Sequence, residues 1–111
     1  MSIVILLIII ISLVEYIGDS NFKHYARNNL NYSNLLVGSI AYIIIICLLI
    51  IALKYTNLIF VNGNWDGISA IIGTILAFIL LKERLKSPIQ YTGLFLIISG
   101  IFALNAGPTP Y

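Results

Sequence analysis

Four apolar runs separated by short polar stretches set the pattern of this chain: Ile3 to Val14, Leu35 to Leu53, Leu58 to Leu81, and Ile89 to Ala106. The last three hold one charge between them, Asp66, and each is long enough to cross a hydrocarbon core that takes about 20 apolar helical residues. The runs are too long for barrel strands and do not alternate in polarity, which excludes a transmembrane β-barrel. The first run is the shortest, and at that length it also fits the apolar core of a signal peptide. No basic residue precedes it and no small-x-small cleavage site follows it. Extension through Glu15 to Ser20 then gives a full span.

The predicted elements are helix 1 at about 2–20, a polar connector Asn21 to Asn34, helix 2 at about 35–55, and a tight turn at Thr56-Asn57. Helix 3 follows at about 57–81, then a charged loop Lys82 to Ser87. Pro88 opens helix 4, as a first-turn proline can, and that helix runs to about 106. Gly107 to Tyr111 reads as a non-helical tail. Short connections between four such helices predict one all-α domain over residues 1–111, an antiparallel bundle of four transmembrane helices.

Composition agrees with that pattern. With 60% hydrophobic and 9% charged residues and a mean hydropathy of +1.05, the chain lies outside soluble globular composition and reads as an integral membrane protein. The net charge of +2 is less informative than its placement. Lys23 and Arg27 flank the first loop and Lys82, Arg84 and Lys86 fill the third, against Lys54 alone in the second loop and the tails. The positive-inside rule places loops 1 and 3 in the cytoplasm or its equivalent, with both termini on the opposite side. Cys47, the single cysteine, lies mid-span in helix 2, so it forms no intrachain disulfide and is read as packing.

The chemistry concentrates on a few polar side chains. Glu15, Asp19, Lys23 and Arg27 recur every four residues and stack on one face of helix 1, acid before base, which is the favourable order. Asp19, Lys23 and Arg27 read as a solvated, salt-bridged helix end. Glu15 is different: at about 1.5 Å per residue it lies roughly 18 Å along the helix from Ile3, near the midplane. An ionised carboxylate without a partner is costly there, which makes it a functional candidate. Asp66 is the second acid expected to be buried, roughly 13 Å into helix 3 from the same side of the membrane. Asn62, Asp66, Ser69 and Gly73 share one helical face, a polar stripe expected to look into the bundle or a wet cavity. Such a stripe serves either as interhelical glue or as a binding surface.

Gly63-Asn64-Trp65-Asp66-Gly67 is also a G-x-x-x-G, continued by Ala70 and Thr74, and gives helix 3 a flat side for close packing. Gly93 and Gly100 make a second smooth seam on the uncharged helix 4, the best candidate for a dimer contact. Trp65 could stack on an organic cation, although a tryptophan beside glycines is more often packing. His24 lies in the polar connector, no serine or cysteine has a plausible base, and neither a phosphate loop nor metal-ligand spacing is present, so no enzyme activity, metal site or cofactor is expected. The basic residues are few and juxtamembrane, suited to orientation and anionic lipid contact and not to nucleic acid.

Glu15-x-Ile17-Gly18 followed by Lys23, Tyr42 and Tyr55 in helix 2, Trp65-x-Gly67 in helix 3, and Glu83-Arg84-Leu85 before a last helix with Gly93 and Gly100 occur in this order along almost the whole chain. In that combination the chain resembles a divergent member of the small multidrug resistance family, within the EamA-like drug/metabolite transporter superfamily. The resemblance implies a four-helix protomer working as a dimer, in which Glu15 of both subunits binds protons and a cationic substrate in competition and Tyr42 and Trp65 line the site. Asn62 stands where that family usually has an aromatic, Asp66 replaces a small residue, and Ile43 to Ile46 bring no aromatic or hydroxyl group to helix 2. These departures weigh against polyaromatic cations as substrates, and the charge bias weighs against antiparallel pairing of the two subunits.

Two functions are compatible with these residues. One is a proton-coupled exporter of a small organic cation, with Glu15 as the exchanging carboxylate and Asp66 adding negative potential, flanked by Asn62 and Ser69. The other is a non-transporting structural or accessory membrane protein, for example in the internal membrane of a large virus. The 24 isoleucines and 9 asparagines fit the AT-rich genome of such a source.

Overall fold

A computed structural model describes residues 2–27 and 31–108. Asn28 to Leu30 of the predicted connector, and Thr109 to Tyr111 of the predicted tail, lie outside the described residues. The chain is all-α: α1 spans Ser2–Arg27, α2 Tyr32–Ala52, α3 Leu58–Leu80 and α4 Pro88–Ala106. All four are long and apolar enough to cross a membrane. A helix satisfies its own backbone groups, which is the condition for a segment to stand in lipid.

The sequence itself supplies the helix ends. Asn31 caps α2 by accepting from the Ser33 amide at 3.0 Å, and Asn57 caps α3 by accepting from the Phe60 amide at 3.0 Å. Ser87 and Gln90 form a reciprocal capping box on α4, with Pro88 in its first turn. α4 therefore begins and ends where the sequence pattern places it. Helix 1 does not stop at Ser20: α1 continues to Arg27, through residues that hydropathy assigns to the connector. Phe22 and Lys23 in that stretch find partners elsewhere in the fold, so polarity does not end the helix there. Helix 2 is displaced the other way, starting at the Asn31 cap and ending at Ala52, with a turn over residues 53–55.

α3 ends in a tight reversal. Lys82 adopts a left-handed backbone with φ of 57°, while the amides of Leu81 and Glu83 both donate to the Ala77 carbonyl at 3.1 Å. A left-handed residue after a helix end is a position that glycine fills without steric cost. Lys82→Gly is expected to raise stability by about 1 kcal/mol, read as a higher melting temperature of the protein in detergent.

The helices lie side by side in a slab measuring 47 × 36 × 17 Å. α1 packs against both α2 and α3, and α4 rests on α3. In lipid, close fit replaces the hydrophobic effect as the force between helices, and glycines make the fit possible here. A Cβ on Gly18 would stand 3.0 Å from the Tyr42 ring, and one on Gly38 would stand 2.5 Å from the Phe22 ring, so each helix of the α1–α2 pair offers a glycine hollow to an aromatic of the other. The two rings themselves stack at 5.6 Å. Gly67 and Gly63 do the same for α4, which seats Ile101 and Leu104 against them. Val4, Ile8 and Phe60 form a buried core cluster, with Trp65, Ile68 and Leu104 against it. This core fastens α1, α3 and α4 at the end of the slab that holds the start of α1.

Candidate functional site

Beyond that core, α1 and α3 leave a cleft between them of about 330 Å³. Its α1 wall carries Ser12, Glu15, Tyr16, Asp19, Ser20 and Lys23, and its α3 wall carries Ser69, Ala70, Gly73, Thr74 and Ala77. Small side chains on α3 opposite polar side chains on α1 give it both its width and its chemistry. Glu15 sits partly buried in the wall, where its Oε1 accepts from Trp65 Nε1 at 3.2 Å. Ser69, whose hydroxyl donates to the Asp66 carbonyl at 3.4 Å, stands beside the Glu15 carboxylate, and Asp19 and Asp66 act on it through space as like charges. One membrane-embedded acid thus has one neutral donor, a hydroxyl beside it and two neighbouring acids.

The far end of the cleft is closed by charge. Lys23 Nζ forms an ion pair with Glu83, which reaches back from the loop after α3. Lys23 therefore does not spend its charge along its own helix, as the four-residue spacing predicts. Asp19 likewise finds its partner off the helix, accepting from the Tyr42 hydroxyl across the α1–α2 contact. The helix end read from the sequence is exposed at Asp19 and Arg27 and salt-bridged at Lys23, but the partners of Asp19 and Lys23 lie on α2 and on the α3–α4 loop.

The other sequence candidates divide. Ser69 lines the cleft, and Trp65 meets it through the bond to Glu15. Tyr42 reaches it only through Asp19. Asp66 and Asn62 are not buried: both are exposed on the open side of α3. The slab is too thin to place a further helix over that side, and α4 takes the adjacent side at Gly63 and Gly67. Gly63 and Gly67 serve packing within the chain. Gly93 and Gly100 face open space, with no neighbouring group among the described residues within 4 Å of where a Cβ would stand.

A polar contact that the sequence pattern does not reveal lies between α3 and α4. Asn64 is fully buried, donates to the Phe60 carbonyl at 3.0 Å, and accepts from Asn105 Nδ2 at 2.6 Å. The signal that could find it is depth: Asn64 lies near the start of α3 and Asn105 near the end of the antiparallel α4, hence at one level of the membrane. No protein-family model matches this chain, and no curated protein matches it.

Proposed function

We propose that this small membrane protein is a proton-coupled exporter of small organic cations, similar in mechanism to the small multidrug resistance family, with Glu15 as the carboxylate that exchanges protons for substrate. The observation that carries this reading is the setting of Glu15 itself, an acid at membrane depth on the wall of an open cleft whose facing α3 wall is small or hydroxylic. A cation entering the cleft gains the carboxylate and the field of Asp19 and Asp66, and a proton competes with it for the same oxygen pair. Trp65 holds the carboxylate in place through both halves of such an exchange, with Ser69 on the cleft wall beside it. The width suits a compact cation better than a polyaromatic one.

In this proposal the working unit is a homodimer. Asp66 and Asn62 are exposed at a depth where lipid solvates them poorly, and a second copy laid over the open face would cover them and close the cleft. The uncovered Gly93–Gly100 seam of α4 offers a contact for it. The end of the protein that holds Lys23 and Arg27 at the close of α1 and Lys82, Arg84 and Lys86 in the third loop, five of the six basic residues, faces the cytoplasm or its equivalent.

One observation favours the second reading, a non-transporting structural protein: Glu15, Asp19 and Asn64 are all held by bonds within the chain. Proteoliposomes separate the two. A substrate-evoked current under a proton gradient, tested across guanidinium and quaternary ammonium compounds, supports transport; silence from folded protein across the panel supports the structural role.

A further inference from the structure

A second hollow opens between α3 and α4 beneath the loop of residues 82–87, adjoining the Glu15 cleft at Gly73, Thr74, Ala77 and Glu83. It has a volume of about 250 Å³ and is walled by Ala77 and Phe78 of α3, Tyr91 and Leu94 of α4, and Arg84 of the loop. Leu94 and Thr74 also border a third hollow of about 100 Å³, otherwise lined by Ala70 and the isoleucines 71, 75 and 98. The two together form one groove that starts polar at the loop and becomes apolar with depth.

The mouth of this groove is basic and held in place. The Arg84 guanidinium lies 3.5 Å above the Phe78 ring, while its Nη1 donates to the carbonyls of Phe78 at 2.8 Å and Glu83 at 2.7 Å. A guanidinium has five N–H donors, so those bonds leave it capacity for an anion. Lys82 and Lys86 flank it in the same loop, and the Lys86 amide is fixed by Gln90 Oε1 at 2.9 Å. Glu83, the acid in this wall, is already paired with Lys23. The Tyr91 hydroxyl accepts from the Leu85 amide at 3.2 Å, from a position one turn into α4, where an aromatic side chain marks the interface between headgroups and hydrocarbon.

We propose that this groove binds one anionic phospholipid, its headgroup phosphate against Arg84 with Lys82 and Lys86, and one acyl chain along the hollow between α3 and α4. Charge complementarity selects the headgroup: Arg84 lines the mouth, Lys82 and Lys86 belong to the same loop at the end of two membrane-spanning helices, and the acid of that wall, Glu83, is paired with Lys23. The gradient from polar mouth to apolar floor selects an amphiphile over a free phosphate. Arg84, Lys82 and Lys86 do not line the Glu15 cleft, so the proposed headgroup contacts are separate from Glu15, although Gly73, Thr74, Ala77 and Glu83 line both hollows.

The test is native mass spectrometry of the full chain in detergent, offered phosphatidylglycerol or phosphatidylcholine of identical acyl chains. Wild type is expected to retain phosphatidylglycerol in preference, with the preference falling about fivefold for each basic residue removed. Arg84→Gln reads the central contact. The double variant Lys82→Asn with Lys86→Gln keeps a residue that tolerates the left-handed backbone and leaves Arg84 in place, so it reads the charge without loosening the loop. Leu94→Trp fills the groove and is expected to release the lipid while the basic mouth stays intact. Equal retention of both lipids by wild type, or an unchanged preference in the folded double variant, overturns the proposal.

Discussion

Glu15→Gln is expected to abolish substrate-evoked, proton-coupled current in proteoliposomes while leaving insertion and helix content unchanged. Glutamine keeps the volume of glutamate and an oxygen that can accept from Trp65 Nε1, now 3.2 Å from Oε1, so the α1–α3 contact survives. It cannot take up and release a proton, and coupling has no other site in the proposal. The discriminating readout is the pair of results: a variant that folds and melts like wild type yet carries no current places exchange on this carboxylate. A variant that loses its fold along with its current would show instead that Glu15 holds the structure together, and a variant with full current would refute the proposed exchange.

Gly67→Leu is expected to cause the largest loss of stability. Even a methyl group at this position would overlap Cδ1 and Cγ1 of Ile101. A β-branched side chain on a helix has little rotameric freedom to move aside. Overpacking of this kind costs typically about 1–3 kcal/mol, and α4 has no buried residue of its own, among those described, to compensate. The expected outcome is a lower melting temperature and detachment of α4, detectable as proteolysis between α3 and α4 in detergent. Ile101→Ala in the same chain should recover much of the loss, because it removes the atoms that clash; failure of that rescue would place the damage elsewhere.

How far the sequence can be read follows from what each signal encodes. Hydropathy places four spans and Pro88 places the start of α4, because both signals are local. The end of α1 is misplaced for the same reason: whether Phe22 and Lys23 continue a helix depends on Gly38 and Glu83, which lie elsewhere in the chain. Glu15 stands out because an acid at membrane depth is rare. Its bond to Trp65 agrees with the similar depth of Glu15 and Asp66 in α1 and α3, yet depth alone does not reveal which helices touch. Asp66 marks that limit, since the same depth that predicts a buried acid is compatible with an open face. The tie from Asn64 to Asn105 needs the knowledge that α4 lies on α3.

The Lys23–Glu83 pair also has a bearing on how the protein is made. α1 leaves the ribosome before the other three helices, yet Trp65, which bonds Glu15, and Glu83, which pairs with Lys23, belong to later segments. During synthesis the first helix therefore stands beside α2, whose Tyr42 meets Asp19, with Glu15 and Lys23 still lacking these later partners, and the arrival of α3 and the loop behind it supplies them. Until then water or the insertion machinery has to shelter these charges, so the first helix can settle fully into lipid only after the third has joined it.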